Sequence, residues 1–111
     1  MAALRQAPTL EAGEPLWKRV PTRDEAGRPL ADFMMLIPGL RDRPQAGILA
    51  VVVQVRRALA ESREVVFAHL DLRLNLLWVS VRARPGITLQ VAARIRERVP
   101  EARLIGQKRF Y

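Results

Sequence analysis

The chain has 111 residues, 50% of them hydrophobic, which is the composition of one globular domain with a modest core. It contains no cysteine, and this excludes disulfides, thiolate metal sites and cysteine nucleophiles. No stretch reaches the roughly 18 consecutive apolar residues of a membrane span, and residues 1–15 lack the apolar region of a secretory signal. The sequence therefore predicts a cytoplasmic protein with no membrane contact.

The formal net charge of +8 is concentrated toward the C-terminal end. Residues 63–111 carry ten Lys or Arg against four Asp or Glu, whereas residues 1–31 and 32–62 each have a net charge of +1. Such an asymmetry is typical of proteins that bind nucleic acid or another acidic partner. An arginine-rich, solvated surface gives the same balance, and we take this as the default interpretation.

Residues 1–31 predict a loosely ordered N-terminal arm. They hold four prolines and two glycines without sustained periodicity, and Asp24–Gly27 is their clearest turn. Since an exposed tryptophan is unusual, we expect Trp17 to pack against the domain or against a neighbouring subunit. The remaining residues, 32–111, are predicted to form one domain.

A strand and a helix are predicted at the start of this domain. Ala31–Ile37 is a short apolar run that ends at Pro38, which favours a buried strand over a helix. Pro44 suits the first turn of a helix, and apolar residues recur at helical spacing across Pro44–Ser62.

The centre of the sequence predicts a β-hairpin. The runs Val65–Leu72 and Leu76–Arg84 both alternate with period two, and Asn75 between them tolerates the positive φ of a tight turn. One face is aliphatic and is predicted to lie in the core: Val66, Ala68, Leu70 and Leu72 on the first strand, and Leu77, Val79, Val81 and Ala83 on the second. The other face mixes aromatic, polar and cationic side chains, as expected of a surface open to water or to a partner.

A second helix and a last strand complete the pattern. Ile87–Val99 has apolar residues at helical spacing, and Pro100 ends that helix. Ala102–Ile105 is predicted to form a short edge strand, and its extension toward Tyr111 is left open.

The predicted order is strand–helix–strand–strand–helix–strand. This is the order of an α+β, ferredoxin-like βαββαβ two-layer sandwich, in which an antiparallel sheet has both helices on one face. In that topology the strands of Phe33 and Trp78 are central. The strands of Phe67 and Leu104 lie at the two edges.

The segment from His69 to Gly106 resembles the second half of a heavy-metal-associated domain. The shared features are a strand, a tight turn, a valine-rich strand, an amphipathic helix and a final short strand. That family's Cys-x-x-Cys loop would fall at Pro38–Arg43, where this chain has no cysteine, so the resemblance implies the fold and not metal transport. Small-ligand regulatory domains of the ACT type share the same topology, and a fold does not determine a function.

Five residues define a candidate binding patch on the open sheet face: Phe67, His69, Trp78, Ser80 and Arg82. RNA-recognition motifs stack bases on exposed aromatics of such a face, so single-stranded RNA binding is one interpretation. The strand of Trp78 lacks the glycine and the paired aromatics of that family. We therefore expect a homodimer, formed sheet to sheet or at a sheet edge, that buries the same aromatic side chains.

The loop Pro38–Pro44 is a second candidate. Gly39 permits close backbone approach, and Arg41 and Arg43 supply charge ahead of a helix N-terminus, which together predict an anion site. The loop lacks the further glycines and the Lys-Ser/Thr ending of a phosphate loop. An ordinary helix start with solvated arginines is the interpretation that we prefer.

No catalytic or metal site is predicted. His69, the only histidine, stands two residues from Asp71 on one strand face, and such a pair can orient a general base. No nucleophile motif accompanies the pair, and one histidine does not make a histidine-based metal site. Arg94, Arg96 and Arg98 of the second helix point in different directions and form no single stripe. We expect a non-enzymatic interaction or regulatory domain without a cofactor.

Overall fold

The structure is a computed structural model, and it describes residue 23 and residues 26–109, with side chains up to residue 106. Most of the predicted arm, including Trp17, lies outside the described residues. The structure describes the second half of the predicted Asp24–Gly27 turn, and residues 26 and 27 do form a turn there. A backbone bridge joins Arg23 to Pro29, Gly27 has a φ of 79°, and the Arg23 guanidinium donates to the Gly27 carbonyl at 2.8 Å.

Four strands and two helices follow one another in the predicted order. Their bounds are β1 Leu30–Leu36, α1 Gln45–Ala60, β2 Val65–Asp71, β3 Leu76–Arg82, α2 Ile87–Arg98 and β4 Arg103–Arg109. A short 3-10 helix over Leu40–Asp42, which the sequence pattern does not indicate, leads from β1 toward α1. Within the described part of the chain, neither α-helix is both long and apolar enough to cross a membrane.

The strands form one antiparallel sheet in the order β2-β3-β1-β4. β1 and β3 are central and β2 and β4 are the edges, as predicted for the strands of Phe33, Trp78, Phe67 and Leu104. The chain therefore has an α+β fold, a four-stranded antiparallel sheet with two helices, which is compatible with a ferredoxin-like sandwich.

The core lies between the helices and one face of the sheet. It combines alternate strand residues with one side of each helix: Ala31, Phe33 and Met35 of β1, Leu77, Val79 and Val81 of β3, Val51, Val55 and Leu59 of α1, and Val91 and Ile95 of α2. Each large aliphatic side chain that is fully buried here stabilises the fold by roughly 1.5–3 kcal/mol. Trp78 lies on the opposite sheet face, so the predicted sorting of side chains along β3 is confirmed.

The predicted sorting is wrong at the start of β2. The pairing with β3 shifts between Val65 and Phe67, which marks a β-bulge. A bulge inserts an extra residue and interrupts the alternation. Val65 therefore lies in the core rather than on the open face, and Val66 is half-buried instead of lying in the core. From Phe67 to Leu70 the prediction holds: Ala68 belongs to the core and Leu70 packs against it.

The hairpin turns at Asn75, as predicted, with a φ of 54°. The Asn75 carbonyl accepts a hydrogen bond from the Ile37 backbone at 2.8 Å, and its side-chain oxygen accepts one from the Arg41 backbone at 2.8 Å. Leu72 is not in the core, contrary to the prediction. The chain leaves β2 at Asp71, so Leu72 already belongs to the turn and is 40% exposed.

Candidate functional site

All five predicted binding residues belong to the open sheet face, the side of the sheet away from α1 and α2: Phe67, His69, Trp78, Ser80 and Arg82. Strand pairing puts His69 beside Trp78 and Phe67 beside Ser80. The five residues that the period-two alternation assigns to one face therefore lie on one face of the sheet in the structure. Their role in binding stays a prediction.

Burial divides the open face into two halves. Near the start of β1, four residues are at most 2% exposed although they face away from the helices: Leu30, Asp32, Phe67 and Ser80. Toward the hairpin turn, His69 and Trp78 are only half-buried. Phe67 and Ser80 therefore do not offer their side chains to a ligand. We call the accessible part, around Met34, His69, Asp71, Leu76 and Trp78, the turn-side half.

A buried carboxylate holds Trp78 in place. Asp32 is 1% exposed; its Oδ1 accepts a hydrogen bond from the Ser80 hydroxyl at 2.7 Å, and its Oδ2 accepts one from the Trp78 indole N–H at 3.2 Å. The β1–β3 register sets this geometry because it pairs Asp32 with Ser80. A buried charge is tolerated only with such partners. The indole is therefore fixed before any ligand arrives.

Asp32 is not among the site residues that the sequence predicts. The available signal is a lone acid in the apolar run Ala31–Ile37. A charged group in a strand predicted to be buried requires a partner, and the partner lies on another strand. Only the pairing of β1 with β3 shows that Ser80 and Trp78 are among its partners.

A cleft of about 330 Å³ opens on the turn-side half. It is lined by Met34, His69, Asp71, Arg73, Leu74, Leu76 and Trp78. Most of these side chains are apolar or aromatic, and the charged Asp71 and Arg73 form the polar part of the lining. Its volume is at the lower end of the roughly 300–1,000 Å³ of small-molecule sites. The cleft is therefore of a size for one large side chain or one planar ring.

The cleft carries little net charge at neutral pH. Burial lowers the pKa of His69, and the nearby Asp71 carboxylate opposes this only in part. His69 is therefore neutral. Asp71 accepts a hydrogen bond from the Arg73 backbone at 2.9 Å, and its carboxylate lies 3.8 Å from the Arg73 guanidinium.

The lowered pKa of His69 makes a testable contribution to stability. His69 binds a proton more readily in the unfolded chain than in the folded chain. The free energy of unfolding is therefore highest above the ordinary histidine pKa, and it decreases as the pH falls from that value toward the lower pKa of the folded chain. We expect urea titrations to show a smaller free energy of unfolding at about pH 5.5 than at about pH 7.5, and a smaller difference in His69→Gln. An equal difference in both chains would contradict this role, because no other histidine titrates here.

The predicted anion loop uses its arginines within the chain. The Arg43 guanidinium lies 2.6 Å from the Glu101 carboxylate, and this hydrogen bond lowers the pKa of Glu101. The Arg41 guanidinium instead donates to the Arg73 carbonyl at 3.1 Å. Gly39 has a φ of 69° and precedes the short 3-10 helix. The two arginines are directed to different partners, so the anion site stays a prediction without further support.

Two arginines of α2 also have partners within the chain. Arg94 donates to the Ser62 hydroxyl at 3.0 Å. Arg98 forms an ion pair with Glu61 and donates to the Gln54 side chain at 3.4 Å. These contacts join α2 to α1 and its C-terminal end, which agrees with the interpretation that these arginines do not form one phosphate-binding stripe.

Comparison with protein-family models, with curated proteins and with solved structures finds no match for this chain. Among the residues that the structure describes, no group of three or more His, Asp or Glu side chains is placed to hold a metal ion. A functional proposal therefore depends on the geometry of the sheet face and its cleft.

Proposed function

We propose that this chain is a non-enzymatic interaction domain that self-associates through the turn-side half of its open sheet face. The observation that carries the proposal is the cleft beside Trp78. A half-buried tryptophan, anchored from beneath by Asp32, lies next to the apolar Met34 and Leu76 and the neutral His69. Anchored aromatic residues beside pockets are typical hot spots of protein interfaces.

We also propose that the domain is ferredoxin-like. The units β1-α1-β2 and β3-α2-β4 each form a split βαβ crossover, and the two units interlock because β3 lies beside β1. Both helices contribute to the core on the same sheet face. Among the described residues no helix covers the other face, which makes its accessible part the natural surface for an interaction domain.

A second copy of the chain fits the cleft by self-complementarity. Leu74 is 56% exposed and stands at the rim of the cleft. A two-fold axis through the turn-side half would insert Leu74 of each copy beside Trp78 of the other. In such an isologous contact each copy fills the cleft of the other, and the two contacts are related by the same two-fold axis.

Single-stranded RNA is less well supported by the geometry. Trp78 is a suitable stacking surface, but Phe67 is buried and supplies no second platform. Asp71 lies on the same sheet face as the exposed Arg82, so a phosphate backbone that crosses this face would meet an acidic as well as a basic group. We therefore favour self-association over RNA binding and test both on the same proteins.

Trp78→Ala is expected to weaken this self-association at least tenfold, because it removes the central aromatic anchor, a loss of about 2 kcal/mol at a typical hot spot. Sedimentation velocity over a range of protein concentrations measures the effect. The matched control is Leu89→Ala, which truncates a 63% exposed leucine on α2 and should change nothing. Association of Trp78→Ala that equals wild type would refute the proposal.

The RNA alternative is tested on the same proteins by fluorescence anisotropy of a labelled oligouridine at two salt concentrations. Self-association through an apolar cleft should depend little on salt, and Arg82→Ala should leave it intact. RNA binding should fall steeply with salt and weaken in Arg82→Ala. Salt-dependent RNA binding by a monomeric wild-type chain would replace the proposed function.

A further inference from the structure

We infer that a second copy of this chain also pairs with the free edge of β2 and packs its first helix against α1. This contact uses the backbone edge of β2 and the outer side of α1, whereas the proposed function uses the side chains that line the cleft of the turn-side half. Three observations support the inference: an edge strand without blocking charges, an apolar stripe on the outer side of α1, and a buried donor of Arg56 without an acceptor.

The two edges of the sheet differ in how they are protected. Within the described part of the chain, β2 has a neighbour on one side only. Its sequence, VVFAHLD, contains no Lys, Arg or Pro, and its single charge is Asp71 at the end. The other edge strand, β4, reads RLIGQKR and contains three basic residues. Charges on edge strands prevent pairing with other chains, so β4 is protected, whereas on β2 only the bulge at Val65–Phe67 disturbs the edge and the regular run from Phe67 to Asp71 is open to pairing.

α1 carries an apolar stripe on the side away from α2. Gly47 and Gln54 line the groove that α1 forms with the end of α2. Successive residues of a helix are 100° apart, so Leu49 and Val52 lie on the side of α1 opposite this groove, and Val53 lies next to them on the side away from the sheet. Leu49 is 55% and Val53 41% exposed, and Val52 is half-buried. A contiguous exposed stripe of aliphatic side chains marks an interaction surface.

Pairing through β2 brings the two stripes together. Strands lie about 4.8 Å apart and a helix is about 10 Å wide, so in a two-layer sandwich each helix covers two strands, and α1 covers β2 and β3. Two sheets joined edge to edge at β2 therefore place α1 and its copy about 10 Å apart. Packed helices lie roughly 8–10 Å apart, so a single two-fold axis can pair the two β2 strands and pack the two α1 helices against each other.

Arg56 gives the third observation. Its Nε is buried and has no hydrogen-bond partner among the described residues. A buried donor without a partner destabilises a protein and is therefore rare. Arg56 follows Val52 by four positions and so lies on the side of the stripe. With antiparallel copies whose axis passes midway between Gln45 and Arg56, a rotation of the Arg56 side chain would bring its guanidinium to Gln45 of the second copy, an exposed side chain with an amide oxygen that accepts hydrogen bonds.

The expected contact is modest in size. α1 is about 24 Å long and the two layers are about 20 Å deep, so the two copies together would bury on the order of 1,000 Å². Specific interfaces start at about this area. We therefore expect a dimer that dissociates on dilution rather than an obligate one.

Cross-linking tests the geometry directly, because the chain has no cysteine of its own. Val53→Cys should give a covalent dimer with a short bismaleimide reagent. The matched control, Leu89→Cys, is 63% exposed on the other helix and should remain monomeric under the same conditions. Cross-linking that is equal at the two positions, or absent at Val53, would overturn the inference.

Association measurements separate this contact from the proposed function. Leu49→Lys combined with Val53→Lys changes only exposed positions, so the fold should be retained, while the β2-edge contact should weaken at least tenfold in sedimentation velocity. Trp78→Ala should leave that contact unchanged. If Trp78→Ala abolishes all association and the lysine variant none, the inference fails and the proposed function survives; the reverse result refutes the proposed function alone.

Discussion

Replacing Val79 with lysine is expected to unfold the domain, whereas the same replacement at the adjacent Trp78 leaves it folded. The two residues are neighbours on β3 but lie on opposite faces of the sheet. Val79 is fully buried between the sheet and the helices, and it pairs with Phe33 of β1 and Ala68 of β2. A lysine at this position would bury an unpaired ammonium group. That cost of several kcal/mol, added to the lost packing, is comparable with the roughly 5–15 kcal/mol by which domains are stable.

Trp78→Lys is the matched control for this change. The lysine stem can lie along the half-buried open face while its ammonium group reaches water and the Asp32 carboxylate. We expect it to lower the free energy of unfolding by about 2 kcal/mol or less and to retain a cooperative urea transition. Val79→Lys should show no such transition by circular dichroism. The opposite pattern would mean that the two faces of β3 are inverted.

The faces of β3 were predictable because its alternation is uninterrupted. Leu77, Val79 and Val81 pair in regular register with β1, so a period-two pattern in the sequence maps directly onto two faces. At the start of β2 the same reasoning fails. The bulge between Val65 and Phe67 arises from how β2 pairs with β3, and nothing in the local sequence marks it.

The membership of the open face was predictable, but the accessibility of its residues was not. Alternation places Phe67 and Ser80 on the face with Trp78, yet both are buried, while the turn-side half and the exposed Arg82 are accessible. Accessibility depends on how neighbouring segments pack, and periodicity carries no information about that. The sequence pattern therefore leads to the right face and to a patch that is displaced toward the hairpin turn.

The partners of Asp32 and Arg43 could not be predicted from the sequence, because they lie far away along the chain. Asp32 lies 48 residues before Ser80, and only sheet formation brings the two together. Arg43 likewise meets Glu101 across 58 residues, which directs its charge into the chain rather than toward an anion. In both cases the residue type indicates that a partner is needed, while the topology decides which partner is present.

Asp32→Ala is expected to lower the free energy of unfolding by about 2–4 kcal/mol. The change leaves the fully buried Ser80 hydroxyl and the Trp78 indole N–H without the oxygens that accept from them, and each such loss costs about 1–3 kcal/mol. Removing a buried carboxylate recovers part of its desolvation cost, which keeps the net effect below the sum of the two losses. Trp78 should also lose its fixed orientation, so self-association should weaken.

Urea titrations of four chains test this network: wild type, Asp32→Ala, Ser80→Ala and the double variant. Once Asp32 is alanine, the Ser80 hydroxyl has already lost its acceptor, so Ser80→Ala should cost much less than it does in the wild type. Asp32→Asn is the conservative control, since its amide oxygen can still accept from Ser80 and about half of the loss should be recovered. Additive effects of Asp32→Ala and Ser80→Ala would show that the carboxylate stabilises the fold independently of its hydrogen bond with Ser80.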